Sequence, residues 1–286
     1  MDANKIIFVT GATGNQGGAV ARILAKNGFR VKALIRNPGS SKAVILQNLN
    51  ITTLAGDLNN GESYREYLED VFGVFSVQTF ANGIEKEINQ GITLANIAEE
   101  MGVKHFIYSS VLSADSHSDV SFMESKFKIE NHIRNLKLPF TIIRPASLYE
   151  NFLIPQVKKS ILKGKLIQPI NRDIVQQYIS AEDIGKATLK IFKNSDSNLN
   201  KTMPLAAEQL STQQIAETFS SVLNKKVEYK KLPSFITRLV MGKDLYKMFK
   251  WVNEKSVFYK EDVEITRKEL PDYLPLKNWI EMNFTS

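Results

Sequence analysis

The chain contains no cysteine in its 286 residues. That absence excludes disulfides, thiolate catalysis and Cys-ligated metal, and it agrees with a reducing compartment. Histidine is nearly as scarce. His105, His117 and His132 stand at no metal-ligand spacing, so no metal site is expected, and each is read as a sheet, loop or helix-surface residue. No apolar stretch approaches the roughly 18 residues that span a bilayer, and Met1 to Lys5 leads into an apolar segment without a signal-peptide pattern. The expectation is a cytoplasmic protein with no membrane partner. Two reaction classes lack their motifs as well. There is no G-x-S-x-G nucleophile elbow, and no Lys-Ser/Thr pair closes a phosphate-binding loop, since Gly17 is followed by Gly18 and Ala19.

Against these absences stands the segment from Lys5 to Arg36, KIIFVTGATGNQGGAVARILAKNGFRVKALIR. Ile6 to Val9 is the short apolar run expected of a strand buried on both faces of a parallel sheet. Val20, Ile23 and Leu24 then mark one face of a helix. Phe29 to Ile35 reads as a second strand, so the βαβ unit closes within about 30 residues. The intervening loop, Gly11, Ala12, Thr13, Gly14, Asn15, Gln16 and Gly17, is expected to hold the pyrophosphate of a dinucleotide at the start of the helix. Where an acidic residue would bind the ribose hydroxyls of NAD, the chain has Arg36, with Ser40, Ser41 and Lys42 close behind. A guanidinium grips a 2′-phosphate bidentately, so the expected cofactor is NADP(H), with Arg36 and Lys42 at that phosphate.

Further strands are expected at 51–54, 72–77, 104–109 and 140–144, with helices near 41–49, 63–68, 85–101 and 124–136 between them. This alternation predicts an α/β fold with a doubly wound parallel sheet of Rossmann type, whose ligands lie beyond the carboxyl ends of the strands. After Arg144 the pattern loosens at Pro145, Pro155, Gly164 and Pro169. A strand is expected at 177–179, a helix capped by Ser180 from Glu182 towards Phe192, and a surface linker at 195–200. Ser211 and Gln214 form a capping box, and residues 235–252 read as a helix whose large apolar groups serve as core or as a lid. The net charge of +7 is concentrated between Lys225 and Lys260, where ten basic residues face three acidic ones. With no nucleic-acid-binding signature beside it, this segment is read as a solvated face.

The chain resembles the NmrA-like group of atypical short-chain dehydrogenase/reductases. The resemblance rests on VTGATGNQGG (Val9 to Gly18), the RNP after the second strand, AGDL (Ala55 to Leu58), GVFSVQTF (Gly73 to Phe80), GVKHFIYSS (Gly102 to Ser110), Lys126 in MESK, RPASLYENF (Arg144 to Phe152) and YISAEDIG (Tyr178 to Gly185). It spans nearly the whole chain and weakens after about Leu210. It implies a Rossmann domain, 1–147 plus about 172–194, and a smaller C-terminal α+β substrate domain, 148–171 plus about 195–286. It also implies NADP(H), with Asp57 and Leu58 near the adenine and Gln78, Thr79 and Phe80 along the cofactor. Lys126 falls at the ribose, and Leu148, Tyr149, Glu150 and Asn151 flank the nicotinamide end.

The chemistry departs from the wider superfamily. Its usual Tyr-x-x-x-Lys pair stands here as Phe122 and Lys126, and Val111 takes the place of the usual serine. Phenylalanine cannot supply a proton. The group divides between NADPH-dependent reductases and non-catalytic proteins that sense the dinucleotide and bind regulatory partners. The first expectation is therefore a reductase acting on a small apolar acceptor such as a quinone or conjugated carbonyl. Lys126 would add positive charge where the oxyanion develops, and Tyr149 is a second candidate, as proton donor. The alternative is an NADP(H) sensor that contacts a protein partner through its substrate domain.

Overall fold

The structure, a computed structural model, describes residues 4–116, 118–255 and 260–285; His117 lies outside them. Six strands follow one another in the first half: β1 (Ile6–Val9), β2 (Arg30–Ile35), β3 (Thr52–Ala55), β4 (Gly73–Ser76), β5 (His105–Ser109) and β6 (Phe140–Pro145). Then come β7 (Ser147–Leu148), β8 (Lys165–Gln168), β9 (Val175–Ile179), β10 (Lys201–Leu205), β11 (Glu208–Ser211) and β12 (Glu228–Lys231). The helices are α1 (Asn15–Lys26), α2 (Ser41–Gln47), α3 (Ile84–Glu100), α4 (Ser121–Asn135), α5 (Pro155–Leu162), α6 (Ala181–Lys193), α7 (Ser195–Asn198), α8 (Thr212–Val222), α9 (Ser234–Lys255), α10 (Lys260–Glu269) and α11 (Leu276–Phe284).

The seven-stranded sheet runs β3-β2-β1-β4-β5-β6-β10, with β1 to β6 paired in parallel. This is the doubly wound order, and the strand order reverses between β1 and β4. Sheets of this kind bind ligands at that reversal. All four residues of β1, of the sequence IIFV, are buried, as befits a central strand covered on both faces. On one face α1 and α6 lie close together because Gly185 has no Cβ; one there would approach Ala19 O to 3.1 Å. On the other, α3 and α4 pack at Gly91, where a Cβ would lie 2.7 Å from Ile129 Cδ1.

Two compact units result, the first within 1–116, 122–144 and 181–203 and the second within 117–121, 145–180 and 204–286. These boundaries differ from the sequence reading at four places; the short segments 118–121 and 145–147 pass to the second unit, and two longer segments change sides. Residues 172–180 belong to the second unit because β9 pairs with β7 and β11 in a separate three-stranded sheet. Residues 195–203 belong to the first. His105 Nδ1 meets Ser195 Oγ at 2.7 Å, Thr141 Oγ1 donates to Asn198 O at 2.6 Å, and β10 joins the sheet edge beside β6. The expected linker at 195–200 thus carries the one-turn helix α7, and the helix expected at 63–68 is two short 3₁₀ turns. The second unit has its own aromatic core of Tyr149, Phe152, Tyr178, Phe219, Trp279 and Phe284. α9 kinks at Gly242 (φ 81°). Its first half is not core, since Phe235, Leu239 and Val240 are 76%, 86% and 70% exposed.

Candidate functional site

The loop between β1 and α1 admits little but backbone. Gly11 takes φ +62°, a region that favours glycine, and a Cβ there would stand 2.8 Å from Val77 Cγ1. At Gly17 a Cβ would meet Thr10 O at 2.3 Å, so only glycine lets α1 begin this close to the end of β1. Gly14, the N-cap of α1, makes no side-chain capping bond. The first-turn N–H groups of Asn15, Gln16 and Gly17 are thereby left for an anion, which the helix dipole also favours. The loop is pinned on both flanks. Thr10 Oγ1 donates to Val77 O at 3.1 Å and accepts from Val77 N–H at 2.9 Å, while Ser109 Oγ donates to Gln16 Oε1 at 2.6 Å. Ala12 is buried beneath it and Thr13 half-buried.

Two cations gather beside this cradle. Lys42 Nζ donates to Thr13 O at 3.1 Å, which ties the start of α2 to the loop. Arg36 follows β2 and is exposed, and among the described residues its guanidinium has no hydrogen-bond or ion-pair partner. Ser40 is committed to capping α2, accepting from Ala43 N–H at 3.3 Å. At the next strand end, Asp57 accepts from Asn59 N–H at 3.0 Å and Nδ2 at 2.8 Å, and Leu58 packs against the core. After β4, Gln78 Nε2 donates to Ser76 Oγ at 2.9 Å while its buried Oε1 finds no partner. Thr79 caps a 3₁₀ turn through Ala81 N–H at 3.2 Å. A glycine cradle, an uncapped helix start and an unpaired guanidinium together suit a pyrophosphate and a 2′-phosphate.

At the position of the usual phenol, Phe122 stacks on Phe80 with ring centroids 4.8 Å apart. It forms part of an apolar wall. Lys126, one turn on, is buried, with Nζ 3.0 Å from Glu87 Oε1. Tyr108 is not a substitute acid, because burial, reinforced by Glu87 and Glu130, pushes its phenol well above the usual range.

The remaining expected residues belong to the second unit. Leu148 pairs in β7 against Ile179 of β9. Tyr149 is fully buried, its hydroxyl donating to Glu208 Oε2 at 2.5 Å and its ring 6.1 Å from that of Tyr178. These commitments make it a core residue and remove it from the proton-donor role that its motif position suggested. Glu150 Oε1 accepts from Trp279 Nε1 at 3.2 Å, and Asn151 is exposed, donating to Ser147 Oγ at 3.4 Å.

A family model described as the NmrA-like family matches residues 3–280. The chain belongs to the NmrA-like family. It is 32% identical over 259 residues to an NmrA-like family domain-containing protein of Dictyostelium discoideum, covering 84% of this chain and 83% of that one. It is 30% identical to the nitrogen metabolite repression protein nmrA of Emericella nidulans, with coverage of 80% and 68%. It is 29% identical to the NmrA-like family domain-containing oxidoreductase malD of Malbranchea aurantiaca, with coverage of 82% and 78%. Among solved structures, NmrA, a negative transcriptional regulator, in complex with NADP matches with a TM-score of 0.81 and 25% identity, over 99% of this chain and 96% of that one.

Within this NmrA-like chain, sequence reasoning passed over Glu87. A signal was present. Ile84, Glu87, Ile88 and Gly91 share one face at helical spacing, which places a carboxylate on the face that a helix buries. Arg144 of the RPASLYENF motif likewise proves structural. It grips buried Glu130 through Nε at 2.9 Å and Nη2 at 2.7 Å, and reaches Asp115 at 2.7 Å.

Proposed function

We infer that this protein is an NADP(H)-dependent oxidoreductase that reduces a small apolar acceptor such as a quinone or conjugated carbonyl. The observation that carries the cofactor assignment is the Arg36 guanidinium after β2, without a partner among the described residues, together with the Gly11–Gly17 cradle and Lys42. The NADP complex of the NmrA structure and the oxidoreductase among the relatives support it.

When bound, the reduced nicotinamide supplies hydride to the acceptor. The chain's own residues do the rest. The loop N–H groups and the cations bind and orient the dinucleotide. The Phe80–Phe122 stack offers an apolar, water-poor surface rather than a phenolic acid. Lys126 would hold ribose hydroxyls and add positive field where negative charge builds on the acceptor oxygen. Quinones and enones suit such a site because their reduced oxygen can take its proton from water.

Phe122 also favours a second reading, in which the protein senses NADP(H) and signals through a protein partner; the nitrogen metabolite repression relative supports it. Steady-state NADPH oxidation against a panel of quinones and enones separates the two. The reductase should turn over, and Phe122→Tyr should stay within a few-fold because no step waits for that proton. Tight NADPH binding without oxidation of any acceptor would leave the sensor.

A further inference from the structure

Among the described residues Lys126, on α4, is the one lysine that is buried. Its side chain is 10% exposed and its only ion-pair partner among the described residues is Glu87, whose side chain is 0% exposed. The pairing is close, with Nζ 3.0 Å from Glu87 Oε1. The other carboxylate oxygen is taken by the Ser125 hydroxyl. The Tyr108 ring lies 6.0 Å from Nζ on another side. Glu87 thus faces one side of the ammonium, and among the described residues no second carboxylate pairs with it, which leaves two of its three N–H donors without a carboxylate acceptor. The donors that Glu87 does not face are open to a ligand.

The placement is built by backbone packing. Glu87 and Gly91 are one turn apart on α3, and Lys126 and Ile129 nearly one turn apart on α4. Because Gly91 has no Cβ to meet Ile129 Cδ1 at 2.7 Å, the two helices approach closely enough for Glu87 to reach Lys126. We propose that Glu87 is the positioning residue of this site: it fixes Lys126 from one side so that the lysine's remaining donors point to the ribose hydroxyls of the dinucleotide. This rests on the dinucleotide reading above.

The test is a double-mutant cycle on NADPH affinity, read by fluorescence titration of wild type, Glu87→Gln, Lys126→Met and Glu87→Gln/Lys126→Met, each checked for folding by its thermal transition. The singles should each weaken NADPH by about tenfold, and the double by no more than about twofold beyond Lys126→Met, because one mutation already removes what the pair does. Lys126→Met leaves a buried carboxylate unpaired and is the variant at risk of unfolding. Glu87→Asp, which keeps the charge but withdraws it by a methylene, covers that case and should weaken NADPH severalfold. Additive losses, or wild-type affinity in both folded Glu87 variants, would overturn the positioning role while leaving the dinucleotide site standing. Failure of the wild type to bind NADPH would instead remove the dinucleotide reading and this role with it.

Discussion

At the scale of single residues, the decisive feature is a charge left without a partner. Arg36 sits exposed after a strand end, where its guanidinium has no partner among the described residues. Charge-assisted hydrogen bonds contribute roughly 1.5 to 3 kcal/mol, so Arg36→Ala should weaken NADPH by about 10- to 100-fold. NADH affinity should barely move. Equal losses for both cofactors in a titration would remove the 2′-phosphate assignment. His105 shows the opposite condition, a titratable group with every polar atom satisfied. Its ring nitrogens meet Ser195 Oγ and Thr141 Oγ1, both at 2.7 Å, and burial pushes its pKa from 6.5 down to about 4. Between those values the unfolded chain takes up a proton that the folded chain refuses. The neutral ring's contribution is complete above pH 6.5 and is lost progressively down to about pH 4, on the order of 3 kcal/mol in all. Urea unfolding at about pH 7.5 and pH 5 should therefore show a smaller acid-induced loss in His105→Gln than in wild type. Equal losses would show that the ring does not titrate this way.

At the scale of elements, two helix starts with opposite capping explain their opposite uses. α1 begins at Gly14 with no side-chain cap, which leaves its N–H groups for a ligand. α8 begins with a complete capping box, in which Gln214 N–H donates to Ser211 Oγ at 3.2 Å and Ser211 N–H to Gln214 Oε1 at 2.8 Å. Ser211→Ala should cost about 1 kcal/mol in a denaturant titration and leave NADPH affinity unchanged. A fall in affinity would mean that the second unit's helix bears on cofactor binding. α9 follows neither pattern. Its apolar residues have no consistent face, and Gly242, in the left-handed region, divides it.

At the scale of the whole molecule, folding and binding are linked through the dinucleotide. A ligand that binds only the folded state stabilises it by RT ln(1 + [L]/Kd), about 2.7 kcal/mol at a hundredfold excess over Kd. Thermal melts with matched concentrations of the two cofactors should show NADPH raising Tm more than NADH, and Arg36→Ala should bring the two shifts together. A larger shift with NADH would contradict the basic pocket at β2. No helix among the described residues is long and apolar enough to cross a membrane.

The first βαβ unit, the glycine loop, the cations after β2 and the capping box were all legible in the chain, because each is written in neighbouring residues: an apolar period, a turn that only glycine permits, a Ser three residues before a Gln. Strand boundaries moved by a residue or so, as Phe29–Ile35 became Arg30–Ile35, because the end of a ladder depends on the partner strand. Pairings between distant segments had no local sign. β10 became an edge strand of the main sheet because segment 195–203 is held by His105 and Thr141. Tyr149 left the list of proton donors because its hydroxyl found Glu208. Lys126 could be recognised by its spacing from Phe122, but its buried carboxylate partner, on a helix nearly forty residues earlier, was fixed only when Gly91 let α3 close against α4. Local periodicity and turn chemistry thus set the elements and the glycine loop. Which charges are compensated and which remain for a ligand was settled by packing, since burial and partner choice are properties of the space between elements.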